Sequence, residues 1–230
     1  RRVGPGKQPM LAQHHALQLR VLLGHPAQLD PEINPRALPG QIADLAAKDL
    51  FGQPHLIGAG RNINGGVYHA RSGLLKDKRI GLTRRVSGRP IGIFGLGNIG
   101  LEVARRAEAF DMPVFYHNRR QRKELHYSYA ETLPELARKV DFLVIAAPGG
   151  DETHHMVDRS IMDAIGPEGV LVNVGRGTIV DTSALASALS EGTLGAAALD
   201  VLEGEPVVPS SLLALPNLLL TPHMASMTND

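Results

Sequence analysis

Three glycines, Gly95, Gly97 and Gly100, are spaced G-x-G-x-x-G inside "IGIFGLGNIGLEVARRAEAF". Alone the pattern is weak, but here it closes an apolar run that reads as a strand and opens an amphipathic run that reads as a helix. In that setting the first glycine makes a tight turn, the second lets the backbone approach a pyrophosphate, and the third lets the helix pack closely. The first helical amides, at Asn98 and Ile99, then offer an anion the positive end of a helix. Three further residues have the types that carbonyl reduction needs: Arg176 after "GVLVNVG", Glu205 in "LDVLEGEP" and His223 in "LLLTPH". Hydride delivery to a ketone requires a proton donor near neutral pH, which histidine supplies. A carboxylate beside the histidine would orient its ring, and an arginine would hold a substrate carboxylate through two parallel hydrogen bonds.

The stretch "VFYHNRR" reads as the next strand, and Asn118 stands 23 residues after Gly95. A carboxylate at that point would accept hydrogen bonds from an adenosine ribose and repel a 2′-phosphate. This chain has Asn118, followed by Arg119 and Arg120, and arginine presents a planar fork suited to phosphate oxygens. The reading is NADP(H) in preference to NAD(H).

These residues need a scaffold. The runs "PIGIFG", "PVFYH", "DFLVIAAP", "GVLVNVG", "GAAALDV" and "NLLLTPH" are apolar throughout and alternate with helical stretches such as "NIGLEVARRAEAF" and "DTSALASALSEG". Strands apolar on both faces belong to a parallel sheet covered by helices on both sides. The fold class is α/β: a doubly wound parallel sheet of the Rossmann kind. Ligands of such sheets bind outside the C-terminal strand ends, where Arg176, Glu205 and His223 fall.

Composition narrows the function further. Of 230 residues, 24 are Lys or Arg and 23 are Asp or Glu, so no global field attracts nucleic acid, and aromatics, at 4 %, are too sparse for base stacking. Arg84 and Arg85 therefore read as part of a surface loop near the cleft. Cysteine is absent, which excludes disulfides, thiolate catalysis and zinc–cysteine sites. No apolar run is long enough to span a bilayer, and the start, "RRVGPGKQPMLAQHHALQLR", lacks the apolar core and cleavage site of a secretory signal. The expectation is a cytoplasmic protein with a disordered start. His14-His15 and His154-His155 are adjacent pairs with no carboxylate nearby at metal spacing, so no metal is expected.

The segments "IFGLGNIG", "LVNVGRGTIVDTSALASALSEGTLGAAALDVLEGEP" and "LLLTPHMASMT" resemble the signatures of the D-isomer-specific 2-hydroxyacid dehydrogenases. The spacings, 29 residues from Arg176 to Glu205 and 18 from Glu205 to His223, match that family's Arg, Glu and His. The resemblance implies that Arg176 binds the substrate carboxylate, Glu205 partners the histidine, and His223 is the general acid/base. It also implies that Asp200 contacts the nicotinamide carboxamide, that Pro148 and Thr153 run close to the cofactor, and that the protein is a homodimer. "GLTRRVSGRPIGIFGLG", "FYHNRR" and "AAPGG" are similar to NADP-preferring members that reduce glyoxylate and hydroxypyruvate.

The expected organisation follows from the same resemblance. Residues 1–41 are a remnant of the substrate lobe, 42–75 the interdomain helix region, 76–223 the dinucleotide domain, and 224–230 the start of a return segment. The family's V-G-x-G-x-D loop has no counterpart, since "IGAGRNINGG" follows the helix start that the loop should precede. The expected function is NADPH-dependent reduction of small 2-oxo acids to D-2-hydroxy acids, with no nucleic-acid or membrane partner. The alternative is a non-catalytic NADP(H)-binding sensor or interaction module of the same family.

Overall fold

All six apolar runs form strands. In the computed structural model, which describes residues 53–72 and 81–225, two helices come first: α1 (Gln53–Gly60) and α2 (Ile63–Arg71). The chain then alternates through β1 (Ile91–Phe94), α3 (Asn98–Glu108), β2 (Val114–His117), a two-residue β3 (Ser128–Tyr129) and α4 (Leu133–Arg138). It continues with β4 (Phe142–Ile145), α5 (Arg159–Ile165), β5 (Val170–Asn173), α6 (Thr182–Glu191), β6 (Ala196–Leu199), α7 (Ser210–Leu213) and β7 (Leu218–Leu220). The seven strands form one parallel sheet in the order β3-β2-β1-β4-β5-β6-β7. The order reverses between β1 and β4, and the crevice at that switch is where open α/β sheets take ligands.

Alternation along each strand divides the core between the two faces. Leu143, Ile145, Leu171, Ala197 and Leu199 pack with α4, α5 and α6 through Leu136, Ile161, Met162 and Leu185. Ile91, Ile93, Val144, Val170, Val172 and Ala198 face the opposite layer, with Val103, Ala104 and Ala107 of α3 and Leu56 and Ala59 of α1. β1, β4 and β5 are buried at every position, which is why they are apolar without alternation. The helices begin where polar side chains meet free amides: Thr132 caps α4, Asp158 caps α5 and Asp181 caps α6.

Two readings of the sequence need adjustment. The interdomain helix region expected at 42–75 is, over its described part, two helices. Asn62 adopts a left-handed conformation (φ 46°, ψ 46°), ends the first helical run and accepts a hydrogen bond from Gly65 N–H at the start of the second. Pro54 breaks nothing, because it lies in the first turn of α1, where no intrahelical donor is lost. Arg84 lies away from the cleft. Its guanidinium donates to the carbonyls of Pro167 and Glu168, just before β5, at the N-terminal end of the sheet. The "IGAG" of Ile57–Gly60 is helical. The substrate-lobe remnant expected at 1–41, residues 42–52 and 73–80, and the last five residues lie outside the described residues. No described helix is long and apolar enough to cross a membrane.

Candidate active site

The turn from β1 into α3 is built by exclusion. Gly95 has φ +97°, and a Cβ there would sit 2.5 Å from the backbone of Ala147 on the neighbouring β4 connection. At Gly100 a Cβ would lie 2.2 Å from the Gly95 carbonyl oxygen, so only glycine lets the helix sit this close to the strand it follows. A Cβ on Gly97 would meet nothing within 4 Å. The first and third glycines are thus enforced by the protein's own backbone. The second faces open space at the helix N-terminus, where a pyrophosphate would approach. The first intrahelical bond runs from Leu101 N–H to the Gly97 carbonyl, leaving the amides of Asn98, Ile99 and Gly100 ahead of it for an anion.

Asn118 ties this turn to the end of β2. Its side-chain oxygen accepts from the Leu96 amide at 2.6 Å, and its own carbonyl accepts from the Tyr129 hydroxyl at 3.1 Å. Arg122 adds a brace, donating to the Leu96 carbonyl at 3.1 Å while its amide donates to the Tyr116 hydroxyl. Arg122 therefore supports the turn, whereas Arg119 and Arg120 are exposed beside it. Arg119 reaches Glu152 at 3.0 Å across the crevice, and both side chains are more than three-quarters exposed. Glu152 belongs to a one-turn 3₁₀ segment, Asp151–Thr153, after β4. Thr153 closes that segment by donating to the carbonyls of Pro148 and Gly150.

The second half of the site is built on the ends of β5, β6 and β7. Asn173, fully buried, accepts from the Gly175 amide and donates to the Arg176 carbonyl, fixing the turn that exposes Arg176. A Cβ on Gly177 would overlap Leu202 and the Glu203 amide at 2.0–2.4 Å, so the Arg176 turn and the Glu205 loop lie directly against each other. Glu205 is held at its base by the Leu202 amide, which donates to Oε1 at 2.7 Å. Its other oxygen lies 3.2 Å from His223 Nδ1. The imidazole is half exposed, and with Nδ1 turned to Glu205 its Nε2 remains for a substrate.

Asp200 organises the turn that carries His223. Its backbone carbonyl accepts from the His223 amide at 2.8 Å. Its carboxylate accepts from the Thr221 hydroxyl at 2.5 Å and from the Met224 and Ala225 amides at 2.9 Å each. His223 sits at φ +54°, a conformation that non-glycine residues hold only when their surroundings over-determine it, as these bonds do. Behind them, buried His55 of α1 contacts the Thr221 hydroxyl through Nε2 at 2.6 Å. Since Thr221 donates to Asp200, its oxygen is the acceptor, and His55 is the donor. Burial opposes the charge on Asp200. Nearby His55, whose Nε2 lies 3.7 Å from the carboxylate, and the hydrogen bonds from Thr221, Ala225 and Met224 outweigh it and hold the carboxyl at about 2, below its ordinary 3.8.

The candidate cofactor and reactive residues read from the sequence lie at the C-terminal ends of the strands, in two groups: Gly95 to Gly100 with Asn118, Arg119, Arg120, Pro148 and Thr153, and Arg176, Glu205 and His223 with Asp200. Asn173, Thr221, His55 and Arg122 were missed. Asn173 had a visible signal, a polar residue in an otherwise apolar strand run. His55, 166 residues from its partner Thr221, had none.

A sheet of this order with a glycine turn open to an anion defines a dinucleotide-binding α/β domain, here with an Arg, Glu and His cluster on the same edge. The profile of the D-isomer specific 2-hydroxyacid dehydrogenase, NAD binding domain, matches residues 54–225, and the chain belongs to that family. Glyoxylate/hydroxypyruvate reductase A of Arabidopsis thaliana is 48 % identical over 160 residues, 70 % of this chain and 51 % of that protein. Hydroxyphenylpyruvate reductase of Plectranthus scutellarioides is 49 % identical over 160 residues, with the same shares covered. Among solved structures, an NADPH-dependent glyoxylate/hydroxypyruvate reductase of Sinorhizobium meliloti, in complex with NADP and malonate, superposes with a TM-score of 0.76 at 40 % identity. That match covers 83 % of this chain and 60 % of the other. The chain spans about half the length of the curated relatives it matches.

Proposed function

We propose that this chain carries the cofactor and proton-transfer half of an NADPH-dependent reductase of small 2-oxo acids, with glyoxylate and hydroxypyruvate as first candidates. The observation that carries the reading is the His223–Glu205 pair, 3.2 Å apart and packed through the Glu205 loop against the Arg176 turn. The nicotinamide, when bound, supplies the hydride. Gly97 and the α3 amides hold the pyrophosphate, while Arg119 and Arg120 take the 2′-phosphate that Asn118, being uncharged, does not repel. Arg176 anchors the substrate carboxylate and so turns the neighbouring ketone toward His223. His223 donates its Nε2 proton to the carbonyl oxygen, and Glu205 fixes the ring through Nδ1. Asp200 and Thr221 hold the turn from which His223 acts.

That relatives of this chain are a glyoxylate/hydroxypyruvate reductase and a hydroxyphenylpyruvate reductase supports the substrate class, and these substrates differ in side chain. The test is NADPH oxidation followed at the nicotinamide absorbance with glyoxylate and with hydroxypyruvate. Turnover with either supports the reading. NADPH binding without turnover on either would instead favour a cofactor-binding module with no reductase activity.

A further inference from the structure

We propose that His154, His155 and Glu203 form a site for a divalent transition-metal ion of the zinc, cobalt or nickel class. The inference uses residues that the proposed reduction does not. Consecutive side chains on an extended chain point to opposite sides, but His155 is held at φ +51°. That left-handed turn, unusual for a non-glycine residue, brings both imidazoles to one side. Their ring centroids are 3.9 Å apart, with 26° between the planes. Both Nε2 atoms face one carboxylate oxygen, Glu203 Oε1, at 2.8 Å from His155 and 3.8 Å from His154. One potential ligand atom from each of the three residues lies within 4.8 Å of the others.

Backbone contacts set this arrangement. The His155 amide donates to the Thr178 carbonyl, and Val157 bridges to Val180, so the histidine pair is fastened to the segment Gly177–Ile179. The glycine that opens that segment is the one whose missing Cβ admits the Glu203 backbone. All three ligands therefore stand on one frame, although Glu203 is 48 residues from His155. This distance in sequence is why the histidine pair alone offers no metal spacing.

Two imidazole nitrogens and one carboxylate oxygen suit zinc, cobalt or nickel, whereas calcium and magnesium prefer all-oxygen shells. Ligands around tetrahedral zinc lie about 3.3 Å apart for bonds of about 2.0–2.1 Å. Reaching that spacing needs rotation of His154 out of its stack, and its side chain is half exposed and free to turn. Water would complete the shell on the solvent side. Glu203 lies in the loop whose Leu202 amide holds Glu205, so a bound ion would also fasten the base of the Glu205–His223 pair.

The experiment is calorimetric titration of the metal-free full chain with zinc chloride, repeated with His154→Ala and with Glu203→Gln. Both substitutions are at surface side chains, and circular dichroism checks that each variant is folded. The expected result is saturable binding that weakens by about tenfold or more in each variant, the size of effect seen on disturbing metal-site partners. Absence of binding to the unmodified chain would overturn the site. So would a dissociation constant unchanged in either variant, which would put the ion elsewhere, for example at His14 and His15.

Discussion

The two halves of the candidate site are held by different physics. Around Gly95, Gly97 and Gly100 the geometry is set by backbone exclusion: any side chain at the first or third glycine would enter another residue's main chain. Around His223 it is set by directed hydrogen bonds, four of them to Asp200, whose partners are far apart in sequence. The first half is rigid by packing and presents backbone amides. The second presents exposed side chains, Arg176, Glu205 and His223, on turns fastened from below. Cofactor binding should therefore survive changes that end turnover, while changes in the glycine turn should damage the fold and cofactor binding together.

The largest effect expected is on the reactive half. His223→Gln keeps a polar group at the site but removes the proton donor, and kcat should fall by about 10²- to 10⁴-fold. NADPH affinity should stay close to that of the unmodified chain; a large loss of affinity would merge the two halves and contradict the division. In the other half, Gly95→Ala combines a disfavoured φ with a backbone overlap. It should lower stability by about 3 kcal/mol in denaturant unfolding and abolish NADPH binding. A variant of unchanged midpoint would mean that the turn is less tightly fixed than the Ala147 contact implies.

The Asp200 network gives the third prediction a pH dependence. Its carboxyl lies at about 2 when folded against an ordinary 3.8, so the ionised form is favoured by folding. That contribution is complete above about pH 4 and is lost as the pH falls toward 2. Unmodified protein should lose stability across this window. Asp200→Asn should start less stable, with a shallower decline over the same range. Parallel acid-unfolding curves would remove Asp200 from the account. The smallest effect expected is at Arg119, which is exposed and already opposite Glu152. Arg119→Ala should weaken NADPH by about tenfold and leave NADH nearly unchanged. Equal losses for both cofactors would end the assignment of a 2′-phosphate contact.

Legibility in the sequence follows the same division. β1, β4 and β5 could be read directly, because burial on both faces leaves continuous apolar runs, and the glycine spacing reports local backbone needs. β3 could not be read, since two residues carry no pattern. The break at Asn62 was only hinted at: the asparagine stands among Gly60, Arg61, Asn64 and Gly65, but nothing in that polar, glycine-rich run says which residue turns left-handed. Arg176, Glu205 and His223 were identifiable as types and spacings, but what holds them was not. Asn173, Thr221 and His55 act through bonds that exist only once β5, β7 and α1 are assembled. Arg122 follows Arg119 and Arg120 in one charged run, and nothing in that run marks it as the brace for the glycine turn.

The most direct test of the central claim is a parallel calorimetric titration of the full chain with NADPH and NADH. The account predicts saturable binding of both, with NADPH tighter by about tenfold or more through Arg119 and Arg120 beside the uncharged Asn118. Equal affinities, tighter NADH, or no binding of either would contradict it.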